Sequence, residues 1–269
     1  MTYGATGDAS SSPVHRPVAW RPLALPPEHG GWGLLLEPIA LGLLVAPSAA
    51  GVLLGCAAVA AFLVRHPLRV AVRDRFHGKR HPRTTACQQL AAGYMVIAVS
   101  TLVAGGVLAG PAALLPCLAA APLAATQFLY DVRNEGRKLY PQIAGGVALA
   151  MSAAAIAIAG GQPHIVAFAL WLLMAIRSAG AVVHVRATLR RRGHWSAVAV
   201  GFLGVGVAAA LWRMTGTPAV SIITMLLLLI RTIIPTFRVN ALSAKTAGLI
   251  EIAYGVLFVM LIAAGYRNG

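Results

Sequence analysis

From Trp32 onward the chain alternates long apolar runs with short polar breaks. The runs are roughly 16 to 23 residues long, and about 20 residues cross a ~30 Å hydrocarbon core as a helix. They fall at 32–47, 49–66, 87–108, 111–130, 140–160, 164–185, 195–212, 217–234 and 245–266. This pattern predicts an all-α polytopic membrane bundle of nine transmembrane helices. The first run is short and carries Glu37 and Pro38; counting eight helices instead would move the amino terminus to the other side. Residues 1–30 are polar and rich in Pro, Ser and Ala, without a charged segment leading into an apolar one, so no cleavable signal is expected. They read as a disordered cytoplasmic tail ahead of a single nine-helix domain, 31–269.

The breaks are of two kinds. Those after the first, third, fifth and seventh runs are tiny, such as Pro47-Ser48 and Ala109-Gly110. Those after the second, fourth, sixth and eighth are longer and basic. Counted by side, the tail, these breaks and the adjoining halves of the runs hold 20 of the 22 Lys and Arg residues, leaving Arg213 and Arg267 opposite. Cytoplasmic loops collect Lys and Arg, so the tail should face the cytoplasm and the carboxyl terminus the outside of a bacterial plasma membrane. A net charge of +15 would suggest nucleic acid in a soluble protein. Here topology accounts for it, and no nucleic-acid partner is expected. The chain is 58% hydrophobic and 11% charged, with a mean hydropathy of +0.77, which excludes a soluble enzyme, a disordered chain and a disulfide scaffold. Cys56, Cys87 and Cys117 lack metal-ligand spacing and read as packing residues.

Polar residues inside the runs sit on one side. Glu37, Arg65, His66, Gln88, Gln89, Tyr130, Asp131, Gln142, Arg177, His184, Arg231 and Glu251 all fall in the half nearer the basic breaks. Ionisable groups in a span need a partner or a polar cavity. Two readings stay open. Glu37 or Glu251 pairs with Arg177 or Arg231 while other arginines snorkel, or these residues line a cavity open to the cytoplasm and sealed outside. The cavity would suit a ligand with a charged head and an apolar tail.

Arg65, Arg69 and Arg73 recur every four residues and share one face if the helix continues past Pro67. Guanidinium groups so placed suit phosphate or carboxylate, or simply anionic lipid headgroups. Asp131 and Glu135 are also four apart, but Arg133, Arg137 and Lys138 surround them, which favours a solvated turn with internal ion pairs. His29, in Glu28-His29-Gly30-Gly31-Trp32, has no HxxxH or CxxC companion. No metal site and no cofactor are expected.

The Glu28-His29-Gly30-Gly31-Trp32 motif resembles the His-Gly-Ala-Trp signature of YwiC-like bacterial membrane proteins. Arg65-His66-Pro67, Asp74-Arg75 and the stretch Gly78 to Thr84 are similar to that family's first basic loop. The end of the sixth run and Ala247-Gly248 with Glu251 and Gly255 look alike too, so the resemblance spans most of 26–266. It implies a membrane protein and leaves the activity open. The helix count and loop placement also resemble UbiA-type intramembrane prenyltransferases, whose aspartate motifs hold magnesium and a prenyl diphosphate. This chain has Arg65, Arg69 and Arg73 where aspartates would stand, and no acidic residue from Arg177 to Arg192. The scaffold can be shared without the reaction.

Three functions fit these features, and whether any is enzymatic stays open. The first is binding of an anionic amphiphile, a lipid or isoprenoid-like molecule, in a cytoplasm-facing intramembrane cavity. Arg65, Arg69, Arg177 and Arg231, with Glu37, Glu251 and His29, are its candidate residues. The second is a carrier for a small organic anion, which needs polar groups at the midplane or on both sides. The third is a non-catalytic membrane scaffold.

Overall fold

The computed structural model describes residues 24, 29–76, 78, 82–190, 194–234 and 244–268, and among these the chain is helical throughout, without strands. The expected tail, apart from Ala24 and residues 29–30, lies outside the described residues, as do Lys79, Arg80, Arg191, Arg192 and Arg238. The helices are α1 (His29–Val45), α2 (Ala49–Phe76), α3 (Pro82–Ala109), α4 (Leu115–Val132, entered by a 3-10 turn at Pro111–Leu114), α5 (Leu139–Ala159), α6 (His164–Arg190), α7 (His194–Thr215), α8 (Val220–Ile233) and α9 (Ala244–Asn268).

Among the described residues, seven helices are long and apolar enough to cross a membrane: α2, α3, the 3-10 turn with α4, α5, α6, α7 and α9. They mark the chain as an integral membrane protein. The apolar α1 and α8 are shorter. Three helices outrun the apolar runs that announced them. α2 continues ten residues past His66, α6 five past Val185, and α3 begins five residues before Cys87. A hydropathy boundary marks where the chain leaves lipid, whereas a helix ends where its hydrogen-bond ladder ends. Pro67 sits inside α2 and removes one donor from that ladder. Arg73 and Arg75 in the last turn complement the negative end of the helix dipole.

α1 and α5 occupy the middle. One apolar cluster joins Leu41, Ala150, Ala153, Leu170, Leu173, Met174, Phe258 and Ile262 from α1, α5, α6 and α9. A second joins Leu35, Ile39, Leu54, Phe62, Ala113 and Ile156 from α1, α2, the 3-10 turn and α5. α5 is 61% buried over its most apolar stretch, while the 3-10 turn and α4 together are 6% buried, so α4 lies on the periphery. Small residues set the helix spacing, since packing replaces the hydrophobic drive in lipid. A Cβ added at Gly42 would lie 2.8 Å from Ile156 Cβ, and one at Gly105 would lie 2.9 Å from Leu54 Cδ2. α1 therefore rests directly on α5, and α3 on α2.

Candidate functional site

The structure brings four of the seven candidate residues together. Glu37 stands midway along α1, Glu251 two turns into α9, Arg177 midway along α6 and Arg231 in the last turn of α8. The middles of α1 and α6 therefore meet the start of α9 and the finish of α8. Arg177 is 2% exposed, Arg231 6% and Glu37 8%.

Arg177 is the centre of the group. Its Nη2 donates to Glu37 Oε1 at 3.3 Å and to the backbone carbonyl of Glu251 at 3.0 Å. Nη1 donates to Glu251 Oε2 at 3.3 Å. The other oxygen of Glu251 lies 2.6 Å from Arg231 Nη1 and 4.0 Å from His184 Nε2. Arg231 also stands 5.1 Å from the centre of the Tyr254 ring, a cation–π contact. Two guanidiniums thus face two carboxylates, and the cluster is charge-balanced without a ligand. Removing one partner of a buried pair exposes the other to an uncompensated desolvation penalty of about 3–5 kcal/mol.

A glycine flanks each carboxylate. Gly33 stands one turn before Glu37 and Gly255 one turn after Glu251, so each shares a face with its carboxylate. A Cβ on Gly255 would collide with the Glu37 carboxylate and sit 3.0 Å from Arg177 Nη2. Sequence reading passed over Gly255 and Tyr254 as determinants, although the four-residue spacing from Glu251 was available as a signal. Among the described residues, Glu37 Oε2, Arg177 Nε and Arg231 Nε are buried without hydrogen-bond partners.

Arg65 and Arg69 lie elsewhere, on α2. The Arg65, Arg69, Arg73 ladder does share a helical face, because α2 runs through Pro67. Arg65 pairs with Asp131, which is 2% exposed in the last turn of α4. This corrects the solvated-turn reading of Asp131 and Glu135. α4 ends at Val132, so the two carboxylates do not share a helix. Asp131 turns inward to α2, and only Glu135 makes a turn-internal pair, with Lys138 at 2.8 Å. Arg69 Nη2 is 3.3 Å from His66 Nδ1. Arg73 Nη1 donates to Asn134 Oδ1 at 3.4 Å, and on the other side Arg186 Nη1 donates to the Arg137 carbonyl at 2.6 Å. The α4–α5 turn is thereby held between α2 and α6. His29 opens α1, and its side chain lies outside the described residues.

Asp74, the acidic residue left in the α2 segment, accepts from Arg83 at 3.1 and 3.3 Å and from Thr84 at 2.7 Å, which ties the ends of α2 and α3. Among the described residues no three His, Cys, Asp or Glu side chains converge as a metal site requires.

No curated protein and no solved structure matches the chain. The likeness read from sequence across 26–266 is found over a shorter stretch, and the motifs in α6 and α9 lie beyond it. Residues 25–157, from the approach to α1 through nearly all of α5, match the family described as YwiC-like protein, and over that stretch this chain is similar to it.

Proposed function

We propose that this protein is a nine-span protein of the bacterial plasma membrane, amino terminus in the cytoplasm and carboxyl terminus outside, that binds an anionic amphiphile at its cytoplasmic face. The nine-span reading includes α1 and α8. Its support is the Arg177 cluster, where the middles of α1 and α6 meet the first half of α9 and the last turn of α8 at one level. The shorter α1 and α8 thus stand at the same depth as the longer α6 and α9. In helix number and loop placement alone, the arrangement is then of the UbiA type. A reporter active only outside the cytoplasm, fused after Gly269, should give signal. A silent fusion would overturn the odd count.

The binding reading is carried by one observation, the basic face around the α4–α5 turn. Arg73 from α2 and Arg186 from α6 hold this turn from opposite sides. Arg133, Arg137 and Lys138 on the turn and Arg190 at the end of α6 are exposed, with Arg69 one turn below Arg73. Such a surface attracts anionic headgroups by about 1 kcal/mol per cation. Arg65 and Arg177 act inside the bundle in this reading, their charges met by Asp131 and by Glu37 and Glu251. Headgroup contact falls to Arg69, Arg73 and the cations of the turn. The carrier reading lacks polar groups near the far ends of the helices comparable to the Arg177 cluster.

The test is the lipid that the purified protein retains. Protein extracted in mild detergent should hold phosphatidylglycerol in preference to phosphatidylcholine by native mass spectrometry. Arg69→Gln with Arg73→Gln should cut that preference by roughly tenfold or more. Equal retention of the two lipids by the native chain would refute the reading.

A further inference from the structure

The cytoplasmic end of α2 has a second flank. Beside the arginine ladder, Val64, Leu68, Ala71, Val72 and Arg75 form a stripe facing Gln88, Ala91, Ala92 and Met95 of α3, and the two stripes enclose an open groove of about 270 Å³. The helices run antiparallel here, and Arg75 stands beside Gln88. With the Gln88 amide turned so that its oxygen faces Arg75, that oxygen accepts from Arg75 Nε and Nη2 at 3.2 and 3.3 Å. The polar groups are thus at one end and the rest of the wall is apolar.

We infer that this groove holds one acyl chain of an anionic phospholipid, with the lipid phosphate on Arg75. The inference rests on the anionic-amphiphile reading and gives it a tail site. Length supports it. Eleven residues separate Val64 from Arg75, or about 16 Å at 1.5 Å per residue, and one leaflet contributes about half of a ~30 Å hydrocarbon core. The α2 wall therefore runs from headgroup level toward the depth where an acyl chain ends, and the α3 wall, Gln88 to Met95, lines about 10 Å of that length. Charge supports it too. Arg75 is exposed at the mouth, and a guanidinium binds phosphate through two parallel donors. Neighbouring Arg83 is engaged by Asp74 at 3.1 Å, which leaves Arg75 as the groove's own cation.

The experiment uses the full-length protein in phosphatidylcholine vesicles containing a minor share of phosphatidylglycerol with a photoreactive acyl chain. Label is expected on the peptides carrying Leu68 and Met95. Ala92→Trp, which fills the groove from the lipid side, should remove most of that label while the thermal midpoint stays near that of the native chain. Arg75→Gln should lower the preference for phosphatidylglycerol over phosphatidylcholine by about fivefold, and Arg75→Lys should keep a larger part of it. If the native chain prefers phosphatidylglycerol but the label falls on other helices, or survives Ala92→Trp, the groove assignment is overturned and the wider reading stands. If there is no preference for phosphatidylglycerol at all, both fall.

Discussion

Arg177→Met is expected to destabilise the bundle by about 3–5 kcal/mol, the cost of leaving buried carboxylates without their cation. The size follows from its contacts, since one guanidinium serves Glu37, the Glu251 side chain and the Glu251 carbonyl on two other helices. The informative variant is the double one. Glu37→Leu with Arg177→Met removes one charge of each sign and leaves Glu251 with Arg231, 2.6 Å apart. Replacing a buried pair by apolar groups of similar volume is often neutral, so the double variant should recover most of the loss. Equilibrium unfolding in mixed micelles would measure the cycle, and contacting residues should couple by about 0.5–3 kcal/mol. Arg177→Lys should resemble Arg177→Met more than the native chain, because an ammonium cannot address acceptors on α1 and α9 with two separate donors. If the double variant is no more stable than Arg177→Met, charge balance is not what the cluster provides.

The same variants separate structure from binding. In the reading proposed here Arg177 acts inside the bundle, so the refolded double variant should keep its preference for phosphatidylglycerol. A stable double variant that has lost it would return Arg177 to the headgroup site, beside the arginines of α2.

Much of this arrangement was legible before the coordinates. The apolar runs give the order and position of every helix among the described residues, because hydropathy reports contact with lipid directly. The pairing of Arg177 and Arg231 with Glu37 and Glu251 was also readable, since few acids and bases occur inside the runs and each needs a partner. Helix ends were not, because Arg69, Arg73 and Arg190 continue a ladder of backbone hydrogen bonds that polarity does not reveal. Nor was the Arg65–Asp131 pair. Its members are 66 residues apart, and only the packing of the end of α4 against α2 makes them neighbours. The Asp131–Glu135 spacing suggested a shared face, but the face vanished when α4 stopped at Val132.

Gly255 is a position where a single methyl group should do large damage. A helix interior ordinarily gains from Gly→Ala, by up to about 1 kcal/mol. Here the new Cβ would overlap the Glu37 carboxylate and crowd Arg177 Nη2. The obstacle on one side is a carboxylate pinned by its own ion pair, so it cannot swing aside without breaking that pair. Gly255→Ala should therefore combine an overpacking cost of about 1–3 kcal/mol with part of the loss expected for a broken buried pair. It should be at least as harmful as Glu37→Ala. Glu37→Ala removes the obstructing atoms, and in that background Gly255→Ala should cost less than about 1 kcal/mol. Unfolding of the two single variants and the double would show this as a large negative interaction energy, with the second substitution nearly free once the first is present. Additive losses would mean that the methyl group is resisted by the α9 backbone itself or by Arg177. The close seat of α9 on α1 would then be independent of the carboxylate, and the glycine would serve helix packing rather than the ion cluster.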